Sequence, residues 1–405
     1  MITGDQQLLK QINRMAVVRT LCHEPELSRA DLAGALGLTK STVSLLVREL
    51  VEEGWLNESD LVTTGSLGRR PTPLHIDGTR LALLGAELGI DEACIVATTL
   101  LGEVIERTVI QYDDATDAAS CLKLVAKALA KLSRRVVVMR RGLLGVGIGL
   151  LGGVDEAAGV LHFAPHLGWR KVDAAAQLRR HLVGSPLEGL PLYVQNDANV
   201  AALAEFEFFD QTRADPLVYL CIGYGVGAGV IVSDRLLTGY RGFAGEVGHT
   251  ILEAGGPLCS CGRRGCADAL IGLGRFVGPE YSSAAMRSQA LETLFSRVQT
   301  KDPTVLAEVE HAGQCLGILL NNVWASLDPM RIVLGGPAMR FGQALLAPAM
   351  RVLNGYADAA QLKAPTIASA RFGDDAVAIG AAALVRYHLT RPFSLHARIE
   401  NPALG

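Results

Sequence analysis

The chain has 405 residues, 49% of them hydrophobic and 20% charged, so it has ample apolar material for more than one folded core. Its formal net charge of -3 is evidence against a large nucleic-acid-coating surface but is compatible with a small local one. The first residues lack the apolar segment of a secretion signal, and the most apolar stretch, 142–154, is too short and too glycine-rich for a membrane-spanning helix. We therefore expect a soluble, cytoplasmic protein without membrane insertion.

Residues 28–54 have the pattern of a helix-turn-helix. Ser28 is a favourable N-cap with Asp31 three residues later, as in a capping box, and Gly37 suits the left-handed position that ends this helix. Thr39 caps a second helix, whose apolar residues recur at the spacing of a core-facing stripe: Val43, Leu46, Val47 and Leu50. An earlier helix over 6–22 is expected to pack on these two through Leu9, Ile12, Met15, Ala16 and Arg19.

The outer face of the second helix and a later loop contain the residues expected to contact DNA. On the helix these are short hydroxyl side chains and cations, which suit close approach to bases and phosphates: Lys40, Ser41, Ser44 and Arg48. In the loop, Arg69 and Arg70 stand between a glycine and a proline, like a wing that enters the minor groove. The alternatives are a helical protein-interaction module and, for the two arginines, a solvated turn. Eight Lys/Arg against nine Asp/Glu in 1–76 give no charge-based support for DNA binding.

The rest of the chain alternates short apolar runs with helical stretches, which predicts an α/β body. Residues 81–110 favour a strand, a glycine turn and two further strands, and residues 121–135 favour a helix. A similar strand-turn-strand unit begins at Leu217, so the body is expected to be a duplicated, two-lobed fold with a cleft between the lobes.

An ordered set of motifs in this body resembles the ROK family of sugar kinases and sugar-responsive repressors. The motifs are GVGIGLLGGVD, APHLGW, VQNDANVAALAE, GYGVGAGV, GFAGEVGH, CSCGRRGC and RIVLGGPA. The resemblance implies an N-terminal winged helix-turn-helix and a two-lobed, actin/hexokinase-like body. We expect a DNA-binding domain over 1–78, a first lobe over 79–198 and a second lobe over 199–405. The head resembles the repressor branch, which includes N-acetylglucosamine, xylose and glucose-responsive repressors.

Three of the eight cysteines crowd into one octapeptide, residues 259–266. Cys259, Cys261 and Cys266 with His249 have the stoichiometry of a closed tetrahedral zinc site, although the spacing alone also allows a redox or buried-thiol cluster. The resemblance favours zinc, because the family's zinc signature is the same set. Four protein ligands leave no open position for an activated water, so one structural zinc per chain is expected.

The resemblance also implies a sugar site. Its expected members are Gly152, Gly153, Asn196, Asp197, Glu246, His249 and Asp268. In the family's kinases the residue matching Asp197 is the general base, while the alternative here is that Asp197 only caps the following helix. Asp268 stands where the family has Glu, and one methylene less puts its direct sugar contact in doubt.

The phosphate side departs from the family's pattern. Kinases of the family have Asp-x-Gly-Gly-Thr where this chain has Glu-Leu-Gly-Ile-Asp, residues 87–91, and Tyr224 stands where Thr is usual. The Ile90 side chain blocks close approach of phosphate to the backbone, and the Asp91 carboxylate repels it. The sequence therefore predicts no catalytic residues and no enzyme activity.

Together these features predict a sugar-responsive transcriptional repressor. It is expected to bind operator DNA as a homodimer or homotetramer and to be released by a sugar or sugar derivative. One alternative is an active sugar kinase with an appended DNA-binding head. Another is a repressor controlled by a protein partner, such as a membrane sugar transporter.

Overall fold

The computed structural model describes residues 6–58, 72–112, 117–209, 214–278 and 283–392. The N-terminal head contains α1 (Gln6–His23), α2 (Arg29–Leu36), α3 (Lys40–Glu52), β1 (Leu56–Glu58) and β2 (Leu74–Ile76), the two strands being antiparallel. The predicted caps are confirmed: Ser28 and Asp31 form a full capping box, Gly37 has φ 65°, and Thr39 accepts a hydrogen bond from the Thr42 amide. The predicted wing arginines, Arg69 and Arg70, lie outside the described residues.

The packing face predicted for α1 was wrong in part. Leu9 is 50% exposed, and the buried residues of this helix are Met15, Val17, Val18 and Leu21. The reason is that α1 packs on the body as well as on the head. Its buried side chains share one core with body residues Leu81, Leu83, Leu100, Ala382 and Val385. Periodicity within α1 gives no information about this second partner.

The first lobe is built on a five-stranded sheet of order β10-β6-β3-β4-β5. Its elements in chain order are β3 (Leu81–Leu88), β4 (Glu92–Thr98), β5 (Val104–Gln111), α4 (Ala118–Val138), β6 (Gly142–Leu150), β7 (Gly153–Asp155), β8 (Val160–Ala164), β9 (Trp169–Asp173), α5 (Ala174–Leu182) and β10 (Leu192–Asn196). Strands β3, β6 and β10 run parallel, so Glu87 and Gln195 lie level with each other on either side of Gly149. The ends of these strands form one wall of the cleft.

The second lobe repeats the strand-turn-strand start, as predicted, in a sheet of order β13-β12-β11-β14-β15. Its elements are α6 (Asp197–Phe208), β11 (Leu217–Ile222), β12 (Val226–Val232), β13 (Arg235–Leu236), α7 (Ala267–Ile271), α8 (Ala284–Gln299), α9 (Pro303–Leu327), β14 (Arg331–Gly335), α10 (Gln343–Ala360) and β15 (Thr366–Ser369). The last helix, α11 (Ala376–Thr390), was predicted to belong to this lobe but packs on the first sheet. The predicted boundary after residue 198 lies within α6.

Helices α6 and α11 form the junction between the lobes. α6 packs on β11 and β12 of the second sheet, while α11 packs on β3 and β6 of the first. Glycine makes this close packing possible: a Cβ at Gly380 would lie 1.9 Å from the Val200 carbonyl oxygen, and one at Gly147 would lie 1.8 Å from the Ala381 carbonyl oxygen. Any relative motion of the lobes must therefore involve this helix pair.

None of the helices in the described ranges is individually long and apolar enough to span a membrane. Only α2 and α3 taken together reach that length and composition, and they meet at a bend of 117°. The apolar residues Leu32, Val43, Leu46, Val47 and Leu50 of this pair are buried in the core of the head.

Candidate sugar cavity and metal centre

A small cavity of about 90 Å³ lies between the lobes. Six of the seven residues predicted to bind sugar line it: Gly152, Asn196, Asp197, Glu246, His249 and Asp268. Gly153 is not among the lining residues. A Cβ at this position would lie 2.7 Å from the Phe163 ring and 2.8 Å from the Phe243 ring, so these two rings cover it. Gly153 therefore supports the cavity wall from behind.

Asn196 and Asp197 are held at the end of β10 by a local hydrogen-bond network. Asn196 caps α6, because its side-chain oxygen accepts from the Asn199 amide at 3.1 Å. Its Nδ2 donates to the Gly152 carbonyl at 3.0 Å and to Asp197 Oδ1 at 2.8 Å. The capping role considered for Asp197 thus belongs to Asn196. Burial raises the pKa of Asp197 to about 6, against hydrogen bonds to its carboxylate from the backbone and from Asn196.

Asp268 reaches the cavity despite its short side chain. Its Oδ2 accepts a hydrogen bond from the Val226 amide at 3.2 Å and lies 3.4 Å from Nε2 of His166. His166 also lines the cavity, and sequence reasoning gave it no role. Its position inside the APHLGW motif was the available signal. Glu246 completes an acidic wall: burial, and then the charges of Asp197 and Asp268, raise its pKa to about 7.

His249 and the three cysteines of 259–266 are brought together as predicted. Their donor atoms all lie within 4.8 Å of one another, with 3.7 Å between Cys259 Sγ and His249 Nδ1 and 3.8 Å between the Cys261 and Cys266 sulfurs. Bonds of about 2.3 Å from a tetrahedral zinc to sulfur require sulfur pairs about 3.8 Å apart. The residues therefore fit a four-coordinate metal.

The loop that contains the cysteines depends on a glycine. Gly265 has φ 75°, and a Cβ there would lie 1.6 Å from the Glu253 carbonyl oxygen, so no other residue fits this turn. On the cavity side, Nε2 of His249 lies 3.8 Å from Oε2 of Glu246. Nδ1 of the imidazole thus points to the cysteines, and Nε2 points to the sugar cavity.

The outer face of α3 is mostly exposed to solvent. Lys40, Ser41 and Arg48 are exposed and Ser44 is half-buried. The buried residues of α3, Val43, Leu46, Val47 and Leu50, face the other way. Hydroxyls and cations therefore cover one side of the helix, beginning at its N-terminal end, where amide groups are also available to a phosphate.

The phosphate side of the cleft is a larger space of about 1180 Å³, lined by Ile90, Asp91, Tyr224 and Arg287 among others. Asp91 is not a free carboxylate, because Nε of Arg287 lies 3.0 Å from its Oδ1 and 3.2 Å from its Oδ2. Glu87, on the adjoining strand, has its pKa raised to about 8 by burial and by the charge of Asp197. This part of the cleft therefore contains an ion pair between the lobes and, next to it, a buried carboxyl group.

Comparisons with known proteins agree with this architecture. A profile of the ROK family matches residues 83–388, and one of winged helix-turn-helix DNA-binding domains matches 11–57. The xylose repressor of Caldicellulosiruptor bescii is 29% identical over 398 residues, covering 94% of this chain and 97% of that protein. A glucokinase of Halalkalibacterium halodurans is 28% identical over 322 residues, covering 75% of this chain and 94% of the enzyme. The structure of a ROK family transcriptional regulator homologous to the E. coli MLC protein superposes with a TM-score of 0.76 at 23% identity, covering 94% of this chain and 97% of that chain. This chain belongs to the ROK family.

Proposed function

We propose that this chain is a sugar-responsive transcriptional repressor. It binds operator DNA through the exposed face of α3 and a sugar or sugar derivative in the cavity between the lobes. One observation carries the proposal: the sugar side of the cleft has its polar residues in place, while on the phosphate side the Ile90 side chain and an ion pair between Asp91 and Arg287 line the space where a phosphate would bind. The repressors among its relatives cover both head and body, as this chain does.

The same observation argues against an active kinase with a DNA-binding head. The alternative of an active kinase is supported by the similarity to the glucokinase, which covers 75% of this chain. Phosphoryl transfer, however, depends on cations and amides that meet the phosphate oxygens. Here the Ile90 side chain occupies the hairpin turn, and Arg287, which lines the same space, is already paired with Asp91.

The metal proposed for His249, Cys259, Cys261 and Cys266 is a structural zinc, one per chain. Zinc bound at such a closed site stabilises the folded state and holds the 259–266 loop to the segment that contains His249. His249 then presents its other nitrogen to Glu246 at the cavity, as a ligand histidine presents its second nitrogen to a carboxylate. The alternative is a cluster of free thiols.

The repressor is expected to act in the cytoplasm as a homodimer or homotetramer on a palindromic operator, since two-fold symmetric proteins bind two-fold symmetric sites. Sugar binding releases the operator if it favours a lobe arrangement with weaker DNA affinity. A repressor controlled by a protein partner, for example a membrane sugar transporter, differs from this in one respect: no sugar would release the DNA in solution.

The test is fluorescence anisotropy of a labelled fragment from upstream of the protein's own gene, titrated with protein and then with D-xylose, D-glucose and N-acetyl-D-glucosamine. Tight binding that one sugar reverses is the expected result. Arg48→Ala should weaken DNA binding and lower the salt dependence by about one unit for a lost phosphate contact. Asp197→Asn should bind DNA normally and lose the sugar response. Absence of DNA binding by the wild-type protein would refute the proposal.

A further inference from the structure

The head is joined to the two lobes in different ways. To the first lobe it is joined by a shared apolar core, in which α1 residues Val18 and Leu21 pack with Leu83 and with Val385 of α11. Such a core holds the two parts as one body, because interiors packed at this density repack in discrete steps rather than deform smoothly. When the lobes move relative to each other, the head therefore moves with the first lobe and α11.

From the second lobe, Phe208 of α6 packs against the edge of that core, and the other connection to the head is by charge. Arg19 of α1 forms an ion pair with Asp234, which lies on the turn between β12 and β13. Asp234 also accepts from Arg391, just past the end of α11, with 2.8 Å between Oδ1 and a terminal guanidinium nitrogen. Arg391 in turn lies 2.8 Å from Glu207 near the end of α6. We call these four charged residues and Arg386 the ionic seam.

The signs of the charges in the ionic seam follow the division between the lobes. The three cations belong to the head, to α11 and to the residue just after α11, whereas the two carboxylates belong to α6 and the β12–β13 turn, which pack with the second sheet. Arg386 donates to Glu207 at 2.9 Å and to the carbonyl of Leu100 in the first lobe, also at 2.9 Å. Motion between the lobes therefore must change the distances within these pairs.

The ionic seam has a buried end and an open end. The side chains of Arg386 and Glu207 are each 1% exposed, whereas those of Arg19 and Asp234 are 32% and 37% exposed. The buried end is too costly to break, because an unpaired charge would remain inside the protein. The open end is cheap to break, because water replaces the lost partner. A rotation of the lobes would thus first break the ion pair between Arg19 and Asp234.

We propose that Asp234 is a positioning residue through which the second lobe sets the orientation of the DNA-binding head. This inference rests on the proposed repressor function. Helix α6 begins at Asp197 in the sugar cavity and ends beside Glu207 in the ionic seam, so sugar that draws the lobes together also moves this helix against α11. The turn at Asp234 moves with it and pulls on Arg19 in α1.

The test measures the coupling ratio, defined as the operator Kd with saturating effector sugar divided by the Kd without it. Asp234→Asn keeps a side chain that tolerates the positive φ of this position (65°) but removes the charge. We expect the coupling ratio to fall at least about fivefold, within the range that allosteric couplings span. Arg19→Met should do the same, Arg19→Lys should retain most of the ratio, and the double variant should lose no more than either single one.

The control is Glu310→Gln, which removes a carboxylate from an exposed ion pair with Arg351 within the second lobe and should leave the ratio unchanged. A ratio within twofold of wild type in both Asp234→Asn and Arg19→Met would overturn the inference. So would loss of operator binding by sugar-free Asp234→Asn at an unchanged melting temperature, because the contact would then build the DNA-binding surface itself. A wild-type ratio of one would instead remove the proposed function, and the inference with it.

Discussion

The guanidinium of Arg287 and the carboxylate of Asp91 meet across the cleft, with Nε 3.0 Å from Oδ1 and 3.2 Å from Oδ2. Asp91 ends the first hairpin turn of the first lobe, and Arg287 lies in the first turn of α8 in the second lobe. The pair stands where the resemblance to sugar kinases would place a nucleotide phosphate. The charge of Arg287 is therefore already balanced by a carboxylate of the protein.

The first prediction concerns this phosphate side. The purified protein should form no ADP from magnesium ATP with D-xylose, D-glucose or N-acetyl-D-glucosamine, because the Ile90 side chain and the Asp91 carboxylate stand at the turn where amide groups would have to bind the γ-phosphate. The measurement is a coupled ADP assay, with a bacterial ROK glucokinase as the positive control. Sustained ADP formation with any of these sugars would show that the phosphate side is functional. Removal of the pair by Arg287→Met should not create activity, since Ile90 remains.

The second prediction concerns the pH dependence of sugar binding. The pKa of Asp197 is raised to about 6, so its carboxylate accepts hydrogen bonds from sugar hydroxyls above that pH and is protonated below it. We expect the sugar Kd to rise about tenfold between pH 7 and pH 5. Isothermal titration calorimetry at both pH values measures this change.

Other groups that face the cavity also have a raised pKa, namely Glu246 and His166, with Glu87 on the adjoining strand. Asp197→Asn separates their effect from that of Asp197. The variant should bind sugar weakly and lose most of the dependence on pH between 5 and 7. The same pH profile in variant and wild type would assign the effect to one of the other groups.

Local features of the fold could be predicted from the sequence, because each depends on residues close together in the chain. The capping box of Ser28 and Asp31 and the left-handed Gly37 need only three or four residues of context. The cluster of His249 and the cysteines could be predicted because three cysteines within eight residues are constrained to lie close together wherever the loop packs. The strand ends that present Asn196 and Asp197 follow from alternating strands and helices.

Contacts between distant segments could not be predicted in this way. Arg287 is 196 residues away from Asp91, and neither has a pattern that identifies the other. Arg19 was expected to pack within the head but faces Asp234 of the second lobe, because α1 serves both head and body. Such pairs arise from the way the lobes assemble, and a single sequence contains no direct record of that assembly.

The third prediction concerns stability and Glu87. Its folded-state pKa of about 8 is above the ordinary value of 4.5, so the folded protein holds this proton more tightly than the unfolded chain does. The stabilisation that this proton contributes is therefore fully present below about pH 4.5 and is lost as the pH rises towards and through 8. Glu87→Gln should raise the free energy of unfolding at pH 8 by about 2 kcal/mol. This is less than the full difference between the two pKa values implies, because the side chain is partly exposed.

Urea unfolding at pH 5 and pH 8 measures this effect. The gain from Glu87→Gln should be much smaller at pH 5 than at pH 8. Glu92→Gln, an exposed neighbour at the start of β4, is the matched control and should show no such difference. An equal gain at both pH values would mean that the substitution acts through packing and not through the proton.

The fourth prediction concerns the metal. The protein purified without chelator should contain about one zinc per chain, and Cys261→Ser should lose it, because three ligands hold zinc far less well than four. Elemental analysis measures the metal content. Cys315→Ser is the matched control, since Cys315 is a buried thiol of α9 outside the cluster. Full zinc content in Cys261→Ser, or none in the wild type, would contradict the assignment.

The fifth prediction concerns the buried end of the ionic seam. Burial alone would raise the pKa of Glu207, but Arg391 and Arg386 outweigh it and lower the pKa to about 2. Glu207→Gln leaves the buried guanidinium of Arg386 without its anion, while Arg391 keeps Asp234, and should lower the free energy of unfolding by about 3 to 5 kcal/mol at pH 7. Because the depressed pKa stabilises the fold only where the unfolded chain is also ionised, the loss should shrink as the pH falls from about 5 towards 2.

Chemical unfolding of Glu207→Gln and of the exposed control Glu310→Gln measures this effect. The control should change the free energy of unfolding by less than about 1 kcal/mol, because its ion pair with Arg351 is solvated. A double variant, Glu207→Met with Arg386→Met, should recover part of the loss, since apolar side chains need no counter-charge. If Glu207→Gln and Glu310→Gln lower the free energy of unfolding by equally small amounts, the lobes are held together by the packing of α6 on α11, and the buried charges add little stability.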